Sequence, residues 1–175
     1  MANREALKEL QTRLAGRLQA ARNEGVAVAA WLAVQSGGKD YLLPLNQAGE
    51  IFPWAGVQPV PFTQPWFLGI ANLRGTLAGV VDLAQLLGHG VPRNEQSMAD
   101  SSLLAFSSVL EVNAALLVDR LLGLRGNEAF VEIETPAEHS PAYFGSVHID
   151  QAGRRWQELH LVRLAQSSEF LNIRA

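Results

Sequence analysis

The chain has 175 residues, 48% of them hydrophobic, with 14 Lys plus Arg against 17 Asp plus Glu and no cysteine. That length supports one or two compact domains, and a net charge of −3 denies the chain the positive field that gathers nucleic acid or anionic lipid. The lack of cysteine excludes disulfides, Cys-based zinc sites, iron–sulfur ligation and thiol nucleophiles, and fits a reducing compartment. The N-terminal stretch MANREALKEL mixes charges of both signs where an export signal needs an apolar run. The longest apolar run, 26–34, has nine residues, about half of the roughly 18 that a spanning helix needs. A soluble, cytoplasmic protein without direct membrane insertion is expected.

Residues 3–22 read as a helix, because Leu7, Leu10, Leu14, Leu18 and Ala21 recur at three- and four-residue steps. Asn3 is its expected cap, and Asn23-Glu24-Gly25 its stop. Residues 1–25 carry a net charge of +2 and the remainder −5. The leucine stripe is narrow. It either packs on the domain that follows, over 26–175, or serves partner binding or self-association, as a coiled-coil seam does.

After Gly25 the pattern changes to short apolar runs broken by Gly, Pro, Asn and Ser, the signature of many short strands. Strands are expected near 27–35, 41–45, 48–52, 67–73, 76–82, 102–109, 114–118, 121–124, 129–134, 146–149 and 155–161, with short helices at 83–87 and 162–170. Gly37-Gly38 suits a hairpin turn. The polar, proline-broken stretch 88–100 reads as a surface loop, with a linker near 88–101. Residues 40–51 can be laid over 113–124, and a glycine-led hairpin running into a helix recurs at 69–87 and 145–165. Such duplication predicts a mainly β fold of two five-stranded barrels around a shared core, each too small to stand alone. A cleft between them would suit a small molecule, so a ligand-binding double barrel is the alternative reading.

No constellation asks for catalysis, a metal or a cofactor. His89, His139, His148 and His160 lack metal-ligand spacing; His148 and His160 can face each other across a hairpin, although the polar face of a strand is the simpler place for each. No nucleophile elbow and no phosphate loop is present. Glu128, Glu132, Glu134, Glu138 and Asp150 lie in a stretch without Lys or Arg. Alternation with Val131 and Ile133 puts Glu132 and Glu134 on the solvent face of a strand, as solvated surface, as a contact for a basic partner or, if the chain is an enzyme, as its carboxylates.

The segment from Trp66 to Gly88 is more specific. An apolar strand leads into Asn72-Leu73-Arg74-Gly75, and a second strand enters a helix at Asp82, whose carboxylate suits the unpaired amides of a first turn. Gly75 supplies the tight backbone and Arg74 is offered near the hairpin tip, free for a partner or paired with Asp82 or Glu50. Trp54 and Trp66 are either core or interface anchors.

Gly69, Asn72-Leu73-Arg74-Gly75, Val80-Val81-Asp82-Leu83 and Leu86-Leu87-Gly88 together resemble the signature of the CheW-like coupling domain of bacterial chemosensory systems. Tyr41-Leu42-Leu43-Pro44-Leu45, Glu50-Ile51, Pro59-Val60-Pro61 and Leu116 to Leu122 fall in that family's order, as do Thr135-Pro136, Gly145 and Leu159 to Leu164. The similarity covers about 27–171. Gly79 stands where the family usually has proline, and Ala115 where it often has glycine. The extra helix and the wording from Trp66 to Gly75 are most similar to the adaptors of type IV pilus twitching systems. The resemblance implies two SH3-like barrels and a non-catalytic scaffold without cofactor. Its partners would be the regulatory domain of a CheA-type histidine kinase and the cytoplasmic tip of a methyl-accepting chemoreceptor, with recruitment to membrane receptor arrays. Arg74 carries over as a coupling residue with Asn72 and Gly75 around it, and Glu50 and Ala48 as positions on a receptor-contact strand; Asp82, Trp54 and Trp66 complete the expected partner-binding set.

Overall fold

The computed structural model describes residues 2–23 and 30–175, the side chains at 2–4 and 20–23 excepted. Asn3 as a cap, Ala21 in the leucine stripe, the stop at Glu24-Gly25 and the start of a strand at 27–29 therefore lie outside the described residues. The first helix is α1 (Ala2–Asn23). The strands are β1 (Trp31–Ser36), β2 (Lys39–Pro44), β3 (Ala48–Pro53), β4 (Phe67–Leu73), β5 (Thr76–Asp82), β6 (Ser102–Phe106), β7 (Ala114–Val118), β8 (Arg120–Arg125), β9 (Phe130–Glu134), β10 (Phe144–Asp150) and β11 (Arg155–Leu159). Short helices α2 (Leu83–Leu86), α3 (Glu95–Ala99), α4 (Leu161–Gln166) and α5 (Ser168–Leu171) complete the description.

Two sheets form, one in the order β8-β1-β2-β11-β10-β9 and the other β3-β6-β7-β5-β4. The orders superimpose when β8 is matched to β3, β1 to β6, β2 to β7, β11 to β5 and β10 to β4. The one parallel pairing in each sheet, β11 with β2 and β5 with β7, falls at matched places, and the hairpins β4–β5 and β10–β11 each run into a helix. The unmatched β9 has its counterpart in the bridge between Gln58 and Ile70. The stretches 40–51 and 113–124 are the two crossings from one sheet to the other. Segment 88–101 instead joins α2 to β6 within the five-stranded sheet.

Alternation along the central strands divides the apolar side chains into three clusters. Ala115 and Leu117 of β7 face a small interior with Val80 and Leu103, while Trp31, Ala33 and Leu42 face another with Trp156. The opposite faces supply Leu32, Val34, Tyr41 and Leu43 from one sheet and Leu104, Leu116 and Val118 from the other to the shared core. Each barrel's own interior is too small to carry a fold, and the shared core supplies the rest. These side chains fill the space between the sheets, where the alternative reading placed a small-molecule cleft.

Three sequence expectations change. The strand expected over 102–109 ends at Phe106, because a 3-10 turn at Ser108–Leu110 and Glu111 at φ 53° turn the chain away. The expected loop 88–100 contains α3, started by a reciprocal capping box between Asn94 and Ser97. Val131 and Ile133 are exposed along with Glu132, since β9 is an edge strand with accessible surface on both faces.

Candidate partner-binding site

The β4–β5 hairpin closes with Leu73 opposite Thr76, leaving Arg74 and Gly75 as a two-residue turn with φ of 51° and 85°. Positive φ at both central positions is the type I′ geometry that matches strand twist, and Gly75 takes it without strain. Arg74 does not, since a left-handed conformation is costly for a side chain with a Cβ. Asn72 holds the turn by accepting the Gly75 N–H at 2.7 Å.

Arg74 thus stands at the tip, its side chain 77% exposed, with Nη1 2.5 Å from Glu50 Oε1. Its guanidinium carbon lies 5.9 Å from the centre of the Phe52 ring, within cation–π range. Glu50 reaches it because β3 slips register against β6 between Ala48 and Ile51. The slip is a bulge of the kind that re-aims side chains. Gly49 permits it: a Cβ there would meet the Phe106 and Ala105 carbonyl oxygens at 2.5 and 2.6 Å. Phe52 and Gly49 escaped the sequence reading, although a lone glycine before Glu50 in a strand is itself a bulge signal.

A groove of about 740 Å³ runs beside this tip, lined by Gly49, Glu50, Phe52, Arg74 and Phe106 on one side and Leu18 of α1 on the other. Leu18 in its wall and Leu14 one turn earlier are buried, so these two leucines of the stripe pack on the domain. Leu7 and Leu10 remain exposed.

The other expected contacts are placed elsewhere. Ala48 is fully buried and offers no surface. Trp54 is half-buried against the Leu103 and Leu117 cluster, and Trp66 stacks over Phe170, with ring centres 6.5 Å apart and planes 19° apart. Asp82 caps α2 as expected, accepting weakly from the Gln85 amide at 3.4 Å. Its side chain is only 1% exposed, however, and pairs with Arg93 rather than Arg74. Arg93 donates to Asp82 Oδ2 from Nε and Oδ1 from Nη2 at 2.6 and 3.1 Å, and to Asp119 at 2.6 Å. Asp82 is therefore a structural anchor.

The histidines are partly regrouped. His148 and His160 converge on Glu158, with Nε2 3.2 Å from Oε2 and 3.6 Å from Oε1. His148 is buried between Trp31 and Phe130, not on a polar face. Among the described residues no group of three His, Cys, Asp or Glu is arranged to hold a metal. Glu134 accepts from both terminal guanidinium nitrogens of Arg155, and that hydrogen bonding keeps its carboxyl below the ordinary range. Asp150 accepts from the Trp156 ring N–H and the amides of Ala152 and Arg154, with the same effect on its titration. Two members of the acidic stretch are thus engaged by the domain's own residues.

The CheW-like domain model matches residues 30–169. The chain belongs to this family. Protein PilI of Pseudomonas aeruginosa is 29% identical over 154 residues, covering 84% of this chain and 82% of that protein. Chemotaxis protein CheW of Bacillus subtilis is 26% identical over 104 residues, 59% of this chain and 61% of that one. The scaffolding protein TtCheW of Thermoanaerobacter tengcongensis has the same fold, with a TM-score of 0.65 at 20% identity over 81% of this chain and 94% of that one. The CheW-like domain here is accordingly a scaffold of chemosensory signalling, and the helix that precedes it lies outside the family match. Its departure at Gly79 has a local cause: the Gly79 N–H donates to the Asn113 carbonyl at 2.9 Å, a bond proline cannot make. The ring of Phe67 also lies where a Cβ would stand.

Proposed function

We propose that this chain is a non-catalytic cytoplasmic adaptor that couples a methyl-accepting chemoreceptor to a CheA-type histidine kinase in a pathway controlling type IV pilus twitching. The observation that carries the reading is Arg74, held in a costly left-handed turn and left mostly in water. An exposed ion pair contributes about 0–1 kcal/mol, so the strain is not explained by folding. It is accounted for if the tip is kept for contact. Arginine over an aromatic ring, beside a groove, is also the chemistry of an interface hot spot. The likeness to PilI supports the pilus pathway. Coupling follows from adjacency: a scaffold that holds receptor and kinase together passes on a receptor rearrangement when its contacts differ between the two receptor states.

The test is co-purification of the full chain with the kinase regulatory domain and with a receptor cytoplasmic fragment, together with receptor-dependent kinase phosphorylation. Arg74→Glu should fold as the wild type does and lose coupling by about tenfold or more, as charge reversal at a hot spot does. Undiminished coupling by the folded variant would reject the assigned site.

A further inference from the structure

We propose that the groove beneath α1 is a helix-binding surface that α1 holds in cis, and that an amphipathic partner helix takes it in trans by displacing α1. The helix is seated by few contacts. Leu18 is 4% exposed and Leu14 is buried beside it, but Leu10, one turn earlier, is 51% exposed. The one side-chain hydrogen bond described between α1 and the sheets runs from Gln11 Nε2 to Ser102 Oγ at 3.1 Å. A leucine pair four residues apart on one face is a common way for a helix to enter an apolar groove.

The same groove carries the candidate site. Ala15, Leu18 and Gln19 form one wall, and Gly49, Glu50, Phe52 and Arg74 the other. Leu14 and Leu18 are buried against the domain, so a second helix cannot pack on the surface they cover while α1 stays. A partner helix on that surface and α1 are therefore mutually exclusive, whereas Arg74 stays exposed at the rim with α1 in place. The apparent affinity of a partner helix then falls by the fraction of molecules in which α1 is released.

The partner to which we assign the groove is the helical tip of a chemoreceptor, and that assignment rests on the proposed function. The chain has no cysteine of its own, so Gln11→Cys with Ser102→Cys creates one pair that a short thiol-cleavable linker can bridge. The same protein is then compared locked and after cleavage, alongside Leu14→Glu/Leu18→Glu in the full chain. Two probes are used: a fluorescein-labelled peptide of residues 2–23, and a receptor cytoplasmic hairpin fragment. Both should bind the cleaved and the Glu variants about tenfold or more tighter than the locked form. Equal peptide binding to locked and cleaved forms overturns the inference, whatever the receptor fragment does. A peptide that discriminates, with a receptor fragment that binds neither form, supports the cis-held groove and removes the receptor assignment. Should the Glu variant become a dimer by light scattering, the occupant is α1 of a second copy and displacement by a receptor is overturned.

Discussion

Arg93 is withdrawn from water to 11% exposure and donates from Nε to Asp82 at 2.6 Å, across the loop that joins the two parts of the five-stranded sheet. Asp82 caps α2 and Asp119 lies at the crossing from β7 to β8. One guanidinium thus ties a helix start, a loop and a strand crossing together. Burial opposes its charge, but the hydrogen bonds it donates to Asp82 and Asp119 outweigh that and favour the charged form.

Arg93→Ala is expected to cost about 3–5 kcal/mol of unfolding free energy, because it strands the buried Asp82 carboxylate without a partner. Arg93→Lys should fall between, since an ammonium cannot reproduce the two-pronged contact. Arg93→Met with Asp82→Asn should recover much of the loss by removing the orphaned charge. Urea unfolding of the four proteins decides the matter; an Arg93→Ala loss below about 1 kcal/mol would mean that water reaches Asp82.

At the hairpin tip, stability and contact oppose each other. Arg74→Asn creates Asn-Gly, a favoured type I′ pair, and relieves the left-handed arginine. Unfolding free energy should rise by about 0.5–1 kcal/mol, with the lost Glu50 pair offsetting a few tenths. Kinase coupling should fall at the same time, the usual cost of removing functional strain. If thermal melting shows the variant to be less stable, the turn is not strained and Arg74 has a packing role.

Much of this was legible in the chain. Glycine- and proline-bounded apolar runs located the strands because each is short, and the duplicated stretches 40–51 and 113–124 pointed to two related sheets. Their sheet membership was not legible: alternation sets which face a residue takes but not which strands neighbour each other. Arg93 was missed because a single arginine in a polar loop carries no local pattern, and Asp119 lies 26 residues away in sequence. Glu50 and Arg74 were legible as a pair of opposite charges. The bulge that joins them depends on Gly49 meeting the carbonyls of a strand more than fifty residues later.

His89 sets an expectation for acid stability. Its Nε2 lies 2.6 Å from the Tyr41 hydroxyl, with Gly37 against the ring. Burial, then the charge of Lys39, holds the imidazole below its ordinary range against the opposing pull of backbone hydrogen bonding and Asp119. Burial likewise raises the Tyr41 hydroxyl, followed by the influence of Tyr143, so the phenol keeps its proton. As pH falls below about 6.5, the unfolded chain binds a proton at His89 before the folded chain does. Stability from this group is therefore complete above that value and declines until the lower folded pKa is passed. His89→Gln removes the titration while keeping a polar partner for Tyr41. The two proteins differ at this residue alone, so the difference between them isolates His89. The wild-type advantage over His89→Gln in urea unfolding should be constant from pH 7 to 8 and shrink steadily from pH 6.5 to 5. A difference that does not change with pH would show that His89 titrates alike in the folded and unfolded chains.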